Sequence, residues 1–409
     1  MARITRALTR GAGPAGPGAA RPLRRAGWEP EIFEAYDHSA GLDQGVFLTV
    51  AVNGFDALAA IGAAGAIGGL GFPTGQIRFA NAAGTSLGAM PIGPVLADGT
   101  RTRTLRRSEL YATLTDLATD RGIPIHHGRR LTGIDDHGGA ITASFADGSS
   151  ATGAVLIGAD GLRSTVRALI DPSAPAPRYT GMGNAGAFTR TDVVAPDGGD
   201  YRMIWGRRSF FGYTVAPDGE VWWFANPPAK AERSVDELAA LTPEARKAGL
   251  AALFADDAGP AAEIIASTPG DVLLGNQFDL PRVPTWHRGR AVIIGDAAHA
   301  VSPSTGQGVS LACEDAVVLA QCLRDAPSPQ AAFVAYEARR RVRVEKVVAW
   351  GAKMGGTKTP GPVMRHVYAA ILPMIFKAAA TPKAMEKQAW LFGHHIDWDA
   401  PGVPVGAAR

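Results

Sequence analysis

Short apolar runs and longer amphipathic segments alternate along much of the chain. The runs 155–157 and 291–294 contain only Val, Leu, Ile and Ala, a pattern typical of strands buried on both faces of a parallel sheet. The segment 108–121 carries leucines at helical spacing and has Ser108 as a possible N-cap. Helical periodicity is also found at 309–324, 330–350 and 362–390. The alternation predicts an α/β fold with a parallel sheet.

A different pattern begins near residue 178. The segments 211–215 and 221–225 alternate aromatic and small residues around Pro217-Asp218-Gly219, which predicts a β-hairpin. We therefore predict three regions: residues 1–177 with 270–345 as one discontinuous α/β domain, 178–269 as a β-sheet domain, and 346–409 as a C-terminal helical segment.

The N-terminus reads as a β-α-β unit: a strand at 3–10, a turn at 11–16, a helix at 19–26 and a strand at 31–33. Arg6 and Arg10 stand where a buried parallel strand is normally apolar. Three outcomes are open: the arginines reach solvent, Arg10 turns toward a bound phosphate, or the strand is displaced.

Composition narrows the classes of function. The 409 residues are 46% apolar and 19% charged, enough for a large core. The formal charge of +3 comes without a polybasic block interleaved with aromatics, so we expect no nucleic-acid partner. The uncharged run 57–77 is rich in glycine, so we expect a helix and turn there and no membrane partner. Two cysteines, nine residues apart on a predicted helix, favour free thiols in the cytoplasm.

The motif Gly11-Ala-Gly13-Pro-Ala15-Gly16 follows the first predicted strand. Glycines allow a tight turn and close approach of the backbone to a pyrophosphate, which then lies at a helix N-terminus. Glu34 follows 21 residues after Gly13, where a carboxylate would accept hydrogen bonds from a ribose. An ordinary glycine-rich turn is the alternative.

Two further motifs place a turn directly after an apolar run. Gly158-Ala-Asp160-Gly161 follows the run 155–157, and Gly295-Asp296 follows 291–294. The second motif continues through Pro303, Gly306 and Gly308 into a long predicted helix.

Together these blocks, with the helix start at Arg107, resemble the class A flavoprotein monooxygenases, the para-hydroxybenzoate hydroxylase-like aromatic hydroxylases, and are most similar to the compact tetracycline-inactivating members. The resemblance implies a Rossmann-like FAD-binding domain, a second β-sheet substrate domain and C-terminal helices. The FAD-binding residues that it implies are Gly11, Gly13, Ala15, Gly16, Glu34, Arg107, Leu131, Asp160, Asp296, Pro303, Gly306 and Gly308. Asp296 is expected at the ribityl chain and Glu34 at the adenosine ribose; a mainly structural turn is the alternative role of Asp160.

The resemblance also implies the reaction. NADPH or NADH would reduce FAD, and a flavin C4a-hydroperoxide would hydroxylate or epoxidise an aromatic or polycyclic small molecule with one atom of O₂, in a cytoplasmic monomer or homodimer. No side chain is assigned as a catalytic acid or base, and His299 is expected to be structural. The histidines show no metal-binding spacing.

The substrate is expected under the aromatic hairpin, with Phe211, Tyr213 and Trp223 as candidate contacts; core packing is the alternative for each. A non-catalytic flavin-fold protein is one alternative function, suggested by the arginine-rich first strand. A flavin-dependent halogenase is less favoured, because 221–227 lacks the Trp-x-Trp-x-Ile-Pro segment of such enzymes.

Overall fold

A computed structural model describes residues 5–37, 45–355, 362–379 and 381–403. Its strands are β1 (Arg6–Arg10), β2 (Glu29–Phe33), β3 (Phe47–Val50), β4 (Phe72–Pro73), β5 (Gln76–Asn81), β6 (Ser86–Pro91), β7 (Arg103–Arg106), β8 (Ile125–His126), β9 (Leu131–Asp136), β10 (Ile141–Phe145), β11 (Ser150–Gly153), β12 (Val155–Gly158), β13 (Arg178–Arg190), β14 (Tyr201–Trp205), β15 (Phe210–Val215), β16 (Glu220–Asn226), β17 (Leu273–Asp279), β18 (His287–Arg288) and β19 (Ala291–Ile293). Its helices are α1 (Ala15–Arg25), α2 (Val52–Ala60), α3 (Ala64–Gly68), α4 (Arg107–Thr119), α5 (Thr165–Ile170), α6 (Val235–Ala239), α7 (Pro243–Ala252), α8 (Ala261–Ala266), α9 (Asp296–His299), α10 (Gly308–Asp325), α11 (Pro329–Gly355), α12 (Pro362–Ala379), α13 (Pro382–Lys387) and α14 (Ala389–Phe392), with a 3₁₀ turn at Pro303–Thr305.

A six-stranded sheet has the order β18-β19-β12-β1-β2-β8. Its pairs are parallel except β18–β19. The strands β12 and β19 are buried throughout, as their apolar sequences predict. Because parallel strands end at the same edge, the turns after β1, β12 and β19 come together there. The fold class predicted from the sequence is confirmed.

The arginine-rich first strand is an intact member of this sheet. It pairs with β12 on one side and β2 on the other, so it is not displaced. Arg6 forms a partly exposed ion pair with Glu31 on β2. Arg10 is only 6% exposed, so it does not reach solvent. The following helix begins at Ala15, four residues earlier than predicted, and contains Pro22.

The second large sheet has seven strands in the order β17-β13-β16-β15-β14-β5-β6. It contains the predicted hairpin, β15 and β16, paired in register from Phe210 with Asn226 to Val215 with Val221. The sheet reaches beyond the predicted segment 178–269, because β5 and β6 join from earlier in the chain and β17 from later. Helices α7 and α8 pack on one face and form a separate apolar core with it.

The C-terminal region contacts both large sheets' surroundings: α12 packs on the seven-stranded sheet through Phe376, and the residues after α14 pack on α10. The predicted helix at 362–390 is divided into α12, α13 and α14. The residues after α14 lie along α10, where Gln321 Nε2 donates to the Asp397 carbonyl at 2.6 Å and Arg324 Nη1 to the Trp398 carbonyl at 2.5 Å. Cys313 and Cys322 on α10 are buried free thiols, as expected. Within the described ranges, no helix is long and apolar enough to cross a membrane.

Candidate cofactor and substrate site

A cavity of about 1010 Å³ extends from the carboxyl ends of the parallel strands to the seven-stranded sheet. At the first end it is lined by the glycine turn after β1 and by the turns after β12 and β19. At the other end it is lined by side chains of β5, β14, β15 and β16 and by α12. Of the residues predicted to bind a cofactor, those on the cavity wall are Gly11, Gly13, Ala15, Glu34, Arg107, Asp160, Asp296, Pro303, Gly306 and Gly308.

Two of the three glycines of the turn, Gly11 and Gly16, lie against the neighbouring backbone without room for a side chain. Gly11 has a φ of +103°, and a Cβ there would lie 2.5 Å from the Ala159 carbonyl oxygen. At Gly16 a Cβ would lie 1.9 Å from the Gly11 carbonyl oxygen. Both positions therefore require glycine. Gly16 packs α1 against the strand and does not line the cavity, which corrects its predicted direct contact.

Glu34 is held in place at the end of β2. Its carboxylate accepts the N–H of Ala12 at 2.6 Å and the N–H of Tyr36 at 3.0 Å. The carboxylate thus bridges the glycine turn and the residues after β2. Such a fixed acceptor on the cavity wall suits the hydroxyls of a ribose.

Arg10 lies at the same end of the cavity. Its Nη1 donates to the Phe33 carbonyl at 3.0 Å, and its buried Nε has no hydrogen-bond partner among the described residues. Of the three outcomes open from the sequence, solvent exposure and displacement are excluded by the fold. Arg10 instead lines the cavity, close to where a pyrophosphate would lie against the turn.

Asp160 chiefly organises the turn after β12. Its carboxylate accepts the N–H groups of Thr165 and Val166 at 2.8 and 3.1 Å and the Ser164 hydroxyl. These are the free donors of the first turn of α5, which a carboxylate satisfies well. The turn role considered for Asp160 is thus present, and the residue also lines the cavity.

Asp296 opens onto the cavity directly after β19. Gly295 before it has a φ of +59°, and a Cβ there would lie 3.3 Å from both Ala15 and Ala312 Cβ. The surrounding protein desolvates the carboxyl of Asp296 and raises its pKa, against the opposing effect of His299 and Arg107. A partly desolvated carboxylate is a strong acceptor for ligand hydroxyls.

A buried charge network supports this turn from behind. Asp315 on α10 accepts the Gly295 N–H at 2.9 Å, His299 Nε2 at 2.5 Å and Arg340 Nε at 2.6 Å. Arg340 also reaches Glu314 at 2.6 Å. Burial raises the pKa of Glu314, but Arg340 and Arg343 outweigh it and lower the pKa to about 2. The network fixes α9 and α10 relative to each other.

The loop before α10 presents backbone to the cavity. The 3₁₀ turn ends at Gly306, which has a φ of +60°, and α10 begins at Gly308. The buried Asn53 donates to both Gln307 Oε1 and Glu314 Oε1, at 2.9 and 2.7 Å, and so connects the loop to the charge network. Free N–H groups at a helix start favour developing negative charge on a bound ring.

Arg107 occupies the first position of α4, between the two ends of the cavity. Its Nε donates to the Tyr111 hydroxyl at 2.8 Å. Burial raises the pKa of Tyr111, despite the nearby guanidinium, so the phenol remains a neutral acceptor. Arg107 therefore has a defined position on the wall.

Comparison with known proteins identifies the site. A family model described as "FAD binding domain" matches residues 5–351. Aurachin C monooxygenase/isomerase of Stigmatella aurantiaca is 33% identical over 337 residues, which cover 81% of this chain and 84% of that protein. This chain belongs to the class A FAD-dependent monooxygenases.

Solved structures agree with the family. Klebsiella pneumoniae HpxO, complexed with FAD and uric acid, superposes with a TM-score of 0.82 at 26% identity, covering 93% of this chain and 97% of that one. The tetracycline destructase Tet(55) shares the fold, with a TM-score of 0.72 at 19% identity over 97% of this chain and all of that one. The cofactor of this monooxygenase is FAD.

The residues of the cavity fit that cofactor. The backbone leaves no space for a Cβ atom at Gly11, Glu34 and Asp296 supply carboxylate acceptors for hydroxyl groups, and the first turn of α10, whose Gly308 lines the cavity, supplies N–H donors. Leu131 is the second predicted contact, after Gly16, that the structure corrects: it lies on β9 in the main apolar core, 3% exposed, and does not line the cavity. Arg130, its neighbour, does.

The predicted substrate contacts of this monooxygenase lie on the wrong face of the sheet. Phe211 and Trp223 are fully buried, and with Tyr213 they pack in the apolar core formed with α7 and α8. Successive residues of a strand point to opposite faces, so their neighbours Phe210 and Phe224 line the cavity instead. Core packing, the alternative considered for all three residues, is what the structure shows.

Several supporting residues were not predicted. Asn53, Glu314, Asp315 and Arg340 are all buried and connected. The signal was present in the sequence, because Glu314-Asp315 interrupts an otherwise apolar helix. A buried acidic pair requires a cationic partner, but the sequence does not show which arginine supplies it.

Proposed function

We propose that this FAD-dependent monooxygenase transfers one oxygen atom from O₂ to an uncharged, largely apolar aromatic or polycyclic small molecule, by hydroxylation or epoxidation, with NADPH or NADH as the electron donor. The observation that carries this proposal is the distribution of side chains along one continuous cavity: charged groups line one end, and apolar groups line the other. Among the described residues, the charged side chains on its wall come from the parallel-sheet region or α4, and one of them, Arg163, stacks on Phe278 at the β17 edge of the seven-stranded sheet. The seven-stranded sheet and the C-terminal helices contribute none.

The wall at the second end is aromatic and aliphatic. Its side chains include Ile77, Phe79, Met90, Met203, Trp205, Phe210, Phe224, Leu372 and Phe376. Ring faces pack favourably against other rings at centroid separations of roughly 4.5–7 Å. A carboxylate or ammonium group placed here would lose its hydration without gaining a partner, so we expect charged substrates to be disfavoured.

Polar groups at this end are few and fixed. Tyr201 lines the cavity, and its hydroxyl lies 2.9 Å from Thr104 Oγ1 and 3.1 Å from Thr49 Oγ1. Burial raises the pKa of Tyr201, against the lowering effect of these bonds. The phenol therefore stays protonated, and because Thr49 and Thr104 hold its hydroxyl, we do not assign it as a base.

Bound FAD supplies the electron transfer and the activation of oxygen. The chain itself orients the substrate ring with Phe210 and Phe224, excludes water with Phe376 and Leu372 of α12, and presents the N–H groups of the first turn of α10 to the cofactor. Exclusion of water protects a reactive oxygenating species from decay. We accordingly assign no side chain as a catalytic acid or base.

The comparisons support this choice over the alternatives. The relative at 33% identity is named as a monooxygenase/isomerase, and the superposed HpxO structure contains uric acid. The non-catalytic alternative rested on the unusual first strand, which is paired normally in the sheet. We also keep, as proposals, the division into two domains and a helical segment, the cytoplasmic location and a monomer or homodimer.

A paired panel of ligands tests the proposal. Uncharged aromatic compounds and their carboxylated analogues are compared by substrate-stimulated NAD(P)H oxidation and by product mass under ¹⁸O₂. We expect the uncharged members to be preferred, and Met203→Arg on the cavity wall to shift the preference toward carboxylates. Val235→Arg, on exposed α6, is the control. A preference for charged substrates by the wild type would contradict the proposal.

A further inference from the structure

Helix α12 separates the apolar end of the cavity from solvent. Its inner side contributes Leu372 and Phe376 to the cavity wall. The ring of Phe376 stacks on Phe79 of the seven-stranded sheet with centroids 4.1 Å apart. The helix is thus fixed to the sheet by one face.

The outer face of α12 is also apolar. Val367, Ile371, Met374 and Ile375 are 38, 46, 72 and 51% exposed. They occupy positions i, i+4, i+7 and i+8, which form a single stripe on a helix. Such a cluster on a surface normally marks an interaction site.

The charge around this stripe is strongly asymmetric. Six of the eight lysines of the chain lie between residues 346 and 387, where Glu386 is the only acidic residue. Lys377 on α12 and Lys383 and Lys387 on α13 are exposed. The small net charge of the whole chain therefore conceals a lysine-rich stretch of sequence that includes α12 and α13.

We infer that α12 and α13 dock this protein on the surface of an anionic lipid bilayer, which replaces the expectation from the sequence that it has no membrane partner. An amphipathic helix that exposes apolar side chains flanked by lysines is the arrangement that inserts shallowly between acidic headgroups. A spanning helix is not needed, so the absence of one among the described residues does not argue against peripheral binding. The combination of bulky apolar residues with lysines favours lipid over nucleic acid, which offers no apolar phase.

Docking in this way would place the apolar end of the cavity beside the lipid. A helix is about 10–12 Å across with its side chains, so only α12 would separate the cavity from the bilayer, and an apolar substrate could enter from the lipid. This consequence rests on the proposed function. The binding of lipid does not, and it is measured without turnover.

Co-sedimentation of the full-length, FAD-loaded protein with vesicles tests the inference. The probes are vesicles of phosphatidylcholine alone and of an equal mixture of phosphatidylcholine and phosphatidylglycerol. We expect binding to the mixed vesicles, weakened by high salt, and little to the neutral ones. Met374→Ser with Ile375→Ser should weaken binding at least ten-fold, and each of Lys377→Glu and Lys383→Glu by about five-fold or more.

Matched controls are available at exposed positions outside α12 and α13. Val235 is 81% exposed on α6, and Lys230 is exposed nearby in the chain; Val235→Ser and Lys230→Glu should bind vesicles as the wild type does. An unchanged FAD content and thermal midpoint will show that each variant is folded. The inference is overturned if the wild type ignores anionic vesicles or if the α12 variants bind as well as the controls. It is also overturned if the stripe proves to be covered by a second copy, so that Met374→Ser with Ile375→Ser converts a dimer to a monomer.

Discussion

His299 Nε2 lies 2.5 Å from Oδ2 of Asp315, and both side chains are buried behind the wall that Asp296 presents to the cavity. The same Asp315 carboxylate accepts the N–H of Gly295. His299 is therefore placed to support the turn before α9 and not to act on a substrate. These hydrogen bonds connect the Gly295-Asp296 motif to α10.

Replacing Asp315 with Asn should destabilise the fold by about 3–5 kcal/mol, because Arg340 would keep its buried charge with one partner fewer. FAD affinity should fall as well, since the turn at Gly295 loses its anchor. Urea unfolding and FAD titration measure the two effects. Asp256→Asn, which breaks the exposed pair with Arg208, should cost less than about 1 kcal/mol. Equal losses in the two variants would show that the network does not stabilise the turn.

Asp296→Ala should weaken FAD binding about ten- to a hundred-fold, the loss expected for a charged acceptor of a ligand hydroxyl. The FAD-free protein should be no less stable, because the Asp296 side chain is exposed on the cavity wall and its removal opens no void in the core. Equilibrium dialysis gives the affinity, and thermal unfolding of the FAD-free protein gives the stability. The FAD affinity of Asp296→Asn should lie between those of the wild type and Asp296→Ala, since an amide oxygen still accepts a hydrogen bond. Wild-type affinity in the alanine variant would remove Asp296 from the cofactor site.

Arg10→Leu should lower FAD affinity by about ten-fold, as expected for the loss of a charge-assisted bond to phosphate. Its stability without FAD should be equal or higher, because Arg10 is buried and makes a single hydrogen bond to the described residues. Arg6→Leu is the matched control, since Arg6 pairs with Glu31 on the strand and should leave FAD binding unchanged. If Arg10→Leu retains FAD fully, Arg10 is a buried residue of β1 and not a ligand of the pyrophosphate.

The two adjacent histidines after α14 should give opposite pH dependences of stability. Burial lowers the pKa of His394 to about 4, despite the nearby Glu314. Its folded pKa thus lies below the ordinary value of 6.5, so its contribution is complete above pH 6.5 and is lost as the pH falls toward 4. A hydrogen bond to Asp56 raises the pKa of His395, so its contribution is present below pH 6.5 and is lost as the pH rises through the folded value.

Thermal midpoints measured across this range compare the wild type with His394→Gln and His395→Gln. Between pH 6.5 and 4, the thermal midpoint of His394→Gln should fall less than that of the wild type. His395→Gln should reduce stability at pH 5.5 more than at pH 8, by a small amount because the pair is exposed. Parallel profiles for all three proteins would contradict both assignments.

The sequence predicted those parts of the fold that depend on local pattern. The buried strands β12 and β19 were recognisable as apolar runs, and the strand β10 was predicted with its observed bounds of Ile141 and Phe145. The turns at Gly11, Asp160 and Asp296 were placed correctly on the cavity, because glycines and acidic residues directly after such strands are locally encoded.

Tertiary packing decided what the sequence did not predict. Strand alternation shows that Phe210 and Phe211 face opposite sides of a sheet, but not which side α7 and α8 will cover, so the substrate face was assigned wrongly. The pairing of Arg340 with Glu314 and Asp315 joins separate helices, and no local signal specifies it. The strands β5 and β6 join the seven-stranded sheet over a long sequence separation, which moved its limits beyond 178–269.

The most direct test of the account is the flavin content of the purified protein, read from its absorbance spectrum after release of the cofactor by denaturation. We predict one FAD per chain in the wild type, with a large loss in Asp296→Ala and none in Phe211→Leu, whose side chain lies in the core away from the cavity. A colourless protein that does not take up added FAD would contradict the assignment of this cavity as the cofactor site.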